Sequence, residues 1–106
     1  MTPEQQRIAI AEACGWSYEK NETYAPDGAF WWSKNPEFPD YLNDLNAMHE
    51  AENVLTGYPQ RVTYYETLSK IVGYLTFEFA HATAAQRAEA FLRTIGKWTN
   101  NQPTEP

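Results

Sequence analysis

Cysteine is almost missing from this chain: Cys14 is the only one in 106 residues. A disulfide framework and a zinc quartet are therefore both excluded as the organising device. Basic residues are scarce as well, 8 Lys and Arg against 14 Asp and Glu, for a formal charge of −6. A protein that grips a nucleic-acid backbone carries a basic patch, so this balance argues against nucleic acid as the partner. A few local cations could still hold a phosphorylated small molecule. No apolar run approaches the roughly 20 residues of a membrane span. The opening MTPEQQRIAIAEA lacks the charged-then-apolar order of a secretory signal. We expect no membrane partner and a cytoplasmic protein. Catalytic signatures are wanting too: there is no GxSxG, no P-loop, no HExxH and no second His/Asp pair at triad-like spacing. The expectation is a protein that is not an enzyme, with no catalytic residues, no metal site and no cofactor.

What is present suffices for one modest core. Hydrophobic residues make up 42% and aromatics 15%, the latter high for so short a chain. One domain over 1–99 is expected, followed by a flexible tail at 100–106, where NNQPTEP carries no packing signal. The segment from Pro39 to Leu55 reads as the central helix. At about 100° per residue, Tyr41, Leu42, Leu45, Met48 and Leu55 fall on one side, as a core-facing stripe should. Glu52 projects near the middle of that stripe and His49 sits at its edge, three residues away and so a neighbour on the helix surface. Two readings stay open. Both side chains snorkel out past the core at a helix end, or they form the polar floor of a cavity. Asn43, Asn46 and Glu50 make a separate polar strip.

Around this segment the punctuation is clear. Thr2-Pro3-Glu4-Gln5 is a capping box opening a helix near 3–14, and Gly15 is a left-handed stop. Ile8, Ile10, Ala11 and Cys14 form its apolar side. Large aromatics then alternate with polar residues from Trp16 to Trp32, which predicts strands near 16–20 and 29–33 with a looser passage between, including a turn at Pro26-Asp27-Gly28. Trp31 and Trp32 are adjacent and face opposite ways in a strand. Both pack in the core, or one joins Tyr24 or Phe30 as a stacking surface. Helices are expected near 40–56, 60–72 and 83–97. In the third segment Val62, Tyr65, Leu68, Ser69 and Val72 recur at helical spacing. Tyr74–Phe79 alternates like a strand, with a continuing helix as the competitor. Thr83-Ala84-Ala85-Gln86 is a second capping box, opening a helix with Ala84, Ala88, Phe91, Leu92 and Ile95 on one face. Arg87 flanks that face as a candidate cation for an anionic ligand, and His81 precedes a helix start whose free N–H groups attract anions.

Three runs, RIAIAEACGW at 7–16, PDYLNDLNAMHEAE at 39–52 and ATAAQRAEAFLRTIGKW at 82–98, resemble the phage ABA sandwich domain family. These are small proteins encoded by phages and prophages. The resemblance covers nearly the whole chain and is weakest from Gly57 to His81. It implies an α+β fold with helices sandwiching a small antiparallel β-sheet in α/β/α layers. It implies no activity and supplies no catalytic residues.

The phage context favours a role against host defence in the infected bacterial cytoplasm. The first expectation is a non-enzymatic binding module that sequesters a small nucleotide-derived immune signal. Tyr24, Trp31 and Trp32 would stack the base, Asn43, Asn46, His49 and Glu52 would read polar edges, and His81 and Arg87 would hold phosphate. One helix face cannot carry all of these, so such a pocket lies between elements or between subunits. A homo-oligomer with the site near the subunit contact is expected, since a small domain has little room for a cavity. The alternative is an acidic protein-interaction inhibitor of a host defence protein.

Overall fold

Two reciprocal capping boxes start the first and last helices of the computed structural model. Thr2 accepts from the Gln5 amide at 3.1 Å while the Gln5 side chain accepts from Thr2 N–H at 2.9 Å. Thr83 and Gln86 repeat the exchange at 3.1 and 2.8 Å. Each box satisfies N–H groups that the first helical turn leaves without partners. The structure describes residues 1–19, 22–26, 30–32 (by backbone alone), 38–73 and 81–99. Within them the order is α1 (Pro3–Ala13), β1 (Ser17–Glu19), β2 (Glu22–Tyr24), β3 (Phe30–Trp32), α2 (Leu45–Glu52), α3 (Tyr58–Val72) and α4 (Ala84–Thr94), an α+β fold. The expected strand or helix at Tyr74–Phe79 and the tail at 100–106 lie outside the described residues. No described helix is long and apolar enough to cross a membrane.

The hub is α4, not the segment from Pro39 to Leu55. It packs against α1, α2 and α3, most extensively against α3. Its buried residues are Ala84, Arg87, Ala88, Ala90, Phe91 and Leu92. Three of these are alanines, whose short side chains let neighbouring backbones come close, while Phe91 and Leu92 fill the space between. Ile10 and Ala11 of α1, Met48 and Ala51 of α2, and Tyr64 and Leu68 of α3 complete the core.

Helix α2 is shorter than the expected 40–56. Asp44 sits in extended backbone as the N-cap, and its carboxylate accepts from the Asn46 and Ala47 amides at 3.0 and 3.4 Å. That places Tyr41, Leu42 and Asn43 in a preceding turn, where Asp44 N–H donates to the Asp40 carbonyl at 2.8 Å. Tyr41 and Leu55 still reach the core from outside the helix, but Leu45 at its first turn is 42% exposed. The α3 stripe is rotated from the expected one in the same way. Tyr64 is buried and Tyr65 is 51% exposed, because the Tyr64 hydroxyl reaches inward to a carboxylate on α2.

Among the described residues the sheet has three strands, where two were expected between Trp16 and Trp32, in the order β1-β2-β3 with both pairings antiparallel. The middle strand, Glu22–Tyr24, occupies the passage read as loose. Thr23 stands opposite Tyr18 and Trp31. Thr23 and its β1 partner Tyr18 share a face; Thr23 is fully buried and Tyr18 packs partly on the core. Trp16 joins the same cluster and meets the Phe38 ring edge-on at 6.1 Å. Arg7 ties the chain entering α2 back to α1, its Nη2 donating to the Phe38 carbonyl at 2.6 Å and its Nε to Pro39 at 3.2 Å.

Between α1 and β1 the backbone reverses at Gly15, whose φ is +99°. A Cβ there would lie 3.2 Å from the Pro26 side chain. Gly15→Ala meets both penalties at once, left-handed backbone and a crowded neighbour. The expected result is a loss of more than about 1 kcal/mol of unfolding free energy, measured by urea denaturation. Gly96 has φ of +78° with nothing near its virtual Cβ, so Gly96→Ala should cost less.

Candidate functional site

Glu52 is the last residue of α2, and its carboxylate gathers side chains from three helices. Oε2 accepts from Arg87 Nη1 of α4 at 3.0 Å and from the Tyr64 hydroxyl of α3. Oε1 faces Nδ1 of His49, one turn back on α2, at 3.0 Å. The Glu52 and Arg87 side chains are 19% and 10% exposed, whereas the His49 side chain is 48% exposed. Glu52 thus does not snorkel free: it lines a groove with both carboxylate oxygens engaged by other side chains. Arg87 also donates weakly to the Ala82 carbonyl at 3.4 Å, which fixes it at the start of α4.

Burial is the main cause that pushes the Tyr64 phenol far above its ordinary value of 10; the hydrogen bond to Glu52 and the carboxylate's charge add to it, and Arg87 opposes. A phenol in this position serves as a hydrogen-bond donor and not as a base. Tyr41 is raised as well, again chiefly by burial.

Beside this cluster a groove of about 300 Å³ runs between α2 and α3, lined by His49, Glu52, Asn53, Arg61, Tyr64 and Tyr65. Arg61 is held at its root, Nε donating to the Leu55 carbonyl at 2.6 Å. Leu55 lies in the connection between α2 and α3, so this bond ties Arg61 back to the chain that enters its own helix. The fixed Nε leaves the planar guanidinium oriented, with the four N–H donors of its two Nη atoms remaining. The rings of Tyr64 and Tyr65 are 5.5 Å apart and inclined by 55°. The groove therefore combines a guanidinium, an imidazole and an accessible ring.

Of the residues singled out in the sequence, the structure brings His49, Glu52 and Arg87 together. Arg87 is engaged with Glu52 and buried, so its position is that of a structural counter-ion. Asn43 lies elsewhere, donating to the Asp40 carboxylate at 3.1 Å beside a second cavity lined by Glu4 and Arg7. Asn46 is exposed in the first turn of α2, and His81 is exposed two residues before the α4 N-cap. The Tyr24 hydroxyl donates to Glu22 on its own strand. Trp31 and Trp32 belong to β3 by backbone pairing, and their side chains lie outside the described residues. Arg61, Tyr64 and Tyr65 were missed as site residues. The Tyr64-Tyr65 pair one helical turn beyond Arg61 was the available signal. Among the described residues no three His, Cys, Asp or Glu side chains converge as metal ligands would.

Comparison with known proteins returns nothing: no family model, curated protein or solved structure matches this chain.

Two measurements follow from the cluster. Arg87→Ala removes the main counter-charge of a partly buried carboxylate. It should cost about 2 kcal/mol, below the roughly 3–5 kcal/mol of a fully buried pair, read from urea midpoints. The pH dependence has a definite sign. A phenol whose folded pKa is raised contributes stability that is complete below the unfolded value near 10 and is lost as pH rises toward the folded value. Unfolding free energy should thus fall with pH above about 10, and Tyr64→Phe should reduce the steepness of that fall.

Proposed function

We propose that the protein is a non-enzymatic binding module that captures a small nucleotide-derived anion in the groove between α2 and α3. The observation that carries this reading is the oriented Arg61 guanidinium beside the exposed Tyr65 ring. Together they offer a planar fork for a phosphate and a face for a base. His49 and Asn53 supply further polar contacts along the same groove. Nothing in this arrangement requires chemistry on the ligand, because the central carboxylate is already engaged by three donors.

The resemblance to phage ABA sandwich proteins supplies the biological setting: a phage or prophage protein that acts against host defence by sequestering a nucleotide-type immune signal inside the infected cell. Its groove, at about 300 Å³, sits at the lower end of the roughly 300–1,000 Å³ of small-molecule pockets. A second copy packed across the groove would complete the walls, which supports a homo-oligomer. An acidic inhibitor of a host defence protein is the second reading, favoured by the net charge of −6.

Mass spectrometry of the small molecules released from heat-denatured protein separates these two. A nucleotide supports capture; an empty extract, with a host protein retained in a pull-down, supports inhibition. Titration calorimetry with adenosine mono- and dinucleotides then tests the groove. Arg61→Ala should weaken binding by about tenfold, in line with losing a charge-assisted hydrogen bond. Tyr65→Ala should do about the same through lost stacking. Unchanged affinity in both variants would sink the assignment, and light scattering reports whether the ligand-bound particle exceeds the 12.2 kDa chain.

A further inference from the structure

A separate cavity of about 200 Å³ opens between the end of α1, the turn before α2 and the outer face of α2. Its walls include Cys14, Trp16, Pro26, Tyr41 and Val54, and Glu50 belongs to the same lining. The rings are set before any ligand arrives. The Phe38 ring braces Trp16 edge-on, with centroids 6.1 Å apart, and Tyr41 and Cys14 belong to the same lining. Tyr41 is 3% exposed, so its position is fixed by packing. Pro26 closes one wall against Gly15, the residue whose missing side chain allows that approach.

The electrostatics are one-sided. The charge of Glu50 reaches both the Cys14 thiol and the Tyr41 hydroxyl. Burial pushes up the pKa of both groups, so both remain neutral near pH 7. Among the described residues no Lys, Arg or His belongs to the lining and Glu50 forms no ion pair. Aromatic faces carry negative potential and attract cations, best when a compact, weakly hydrated cation sits against them. A carboxylate at the same opening adds to that attraction, and the net negative charge of the whole chain raises local cation concentration.

We propose that this cavity binds an alkylammonium head group, seated against the half-buried Trp16 ring with its charge toward Glu50. The volume is too small for a nucleotide and suits a trimethylammonium group of a few heavy atoms. The site is distinct from the groove of Arg61 and Tyr65, and its occupant has the opposite charge, so the two proposals stand or fall separately.

Choline is the probe, compared with its uncharged carbon analogue in which a tert-butyl group replaces trimethylammonium. Nitrogen–proton correlation NMR follows the Trp16 indole signal, assigned by its loss in Trp16→Phe. The expected result is saturable choline binding on the order of millimolar affinity, with the uncharged analogue at least several-fold weaker. Glu50→Gln should weaken choline binding by about fivefold and leave the analogue unchanged. Glu12→Gln, an exposed acid on α1 outside the cavity lining, should alter neither and controls for net charge. Glu50 is exposed, so its substitution leaves the fold intact and keeps the test decisive. A peptide bearing one trimethyllysine, titrated in parallel, distinguishes a free amine from a protein side chain, and the tighter binder names the source. Equal binding of charged and uncharged probes, no shift at Trp16, or an affinity insensitive to Glu50→Gln would each overturn the proposal.

Discussion

The carboxylate of Glu52 is the constraint on which the arrangement of three helices depends. It takes a guanidinium from α4, a phenol from α3 and an imidazole from its own helix. A carboxylate in a poorly solvated position is costly unless charge and hydrogen bonds compensate it. Compensation here demands one relative placement of α2, α3 and α4: a slide of α3 by a full turn would carry the Tyr64 phenol away and leave an oxygen of Glu52 without it. Apolar packing alone tolerates such slips, because hydrophobic contact is not directional. The polar cluster specifies the register, and the apolar core around Phe91, Leu92, Met48 and Leu68 supplies most of the burial.

The same constraint explains the groove. Tyr65 stays outside because Tyr64 is drawn inside, and the Leu55 carbonyl in the connection between α2 and α3 anchors Arg61. The candidate site is thus a by-product of how the helices are registered. Its ring and its cation come from residues adjacent in sequence or spacing to those that hold the fold.

Local chemistry made much of the helical framework legible. Both capping boxes and the stop at Gly15 are sequence-local devices, and each occurs where it was read. Glu52 and His49 stood out because a carboxylate within an apolar stripe conflicts with its surroundings, and the structure shows how Arg87 and Tyr64 resolve that conflict. What sequence periodicity missed has equally physical causes. Asp44 caps α2 five residues after the Pro39 break, so Tyr41 reaches the core from a turn instead of a helix. The strand Glu22–Tyr24 is only three residues long, too short for alternation to be visible, and its burial rests on a threonine. Tyr64 and Tyr65 are chemically identical, so which one is buried is decided by tertiary packing, with Leu68 four residues on sharing the buried face of Tyr64. Arg87 looked available for an anion because its counter-ion lies 35 residues away in the chain.

The hub helix α4 also has a temporal consequence. It follows α1, α2 and α3 in the chain, yet it is the surface against which all three bury their apolar sides. Ribosomes add about 5–20 residues per second, so α1 is made seconds before the α4 face against which it packs. Isolated helices of this length are marginal in water, and α2 has only eight residues. Consolidation of the described helices therefore waits on the synthesis of α4.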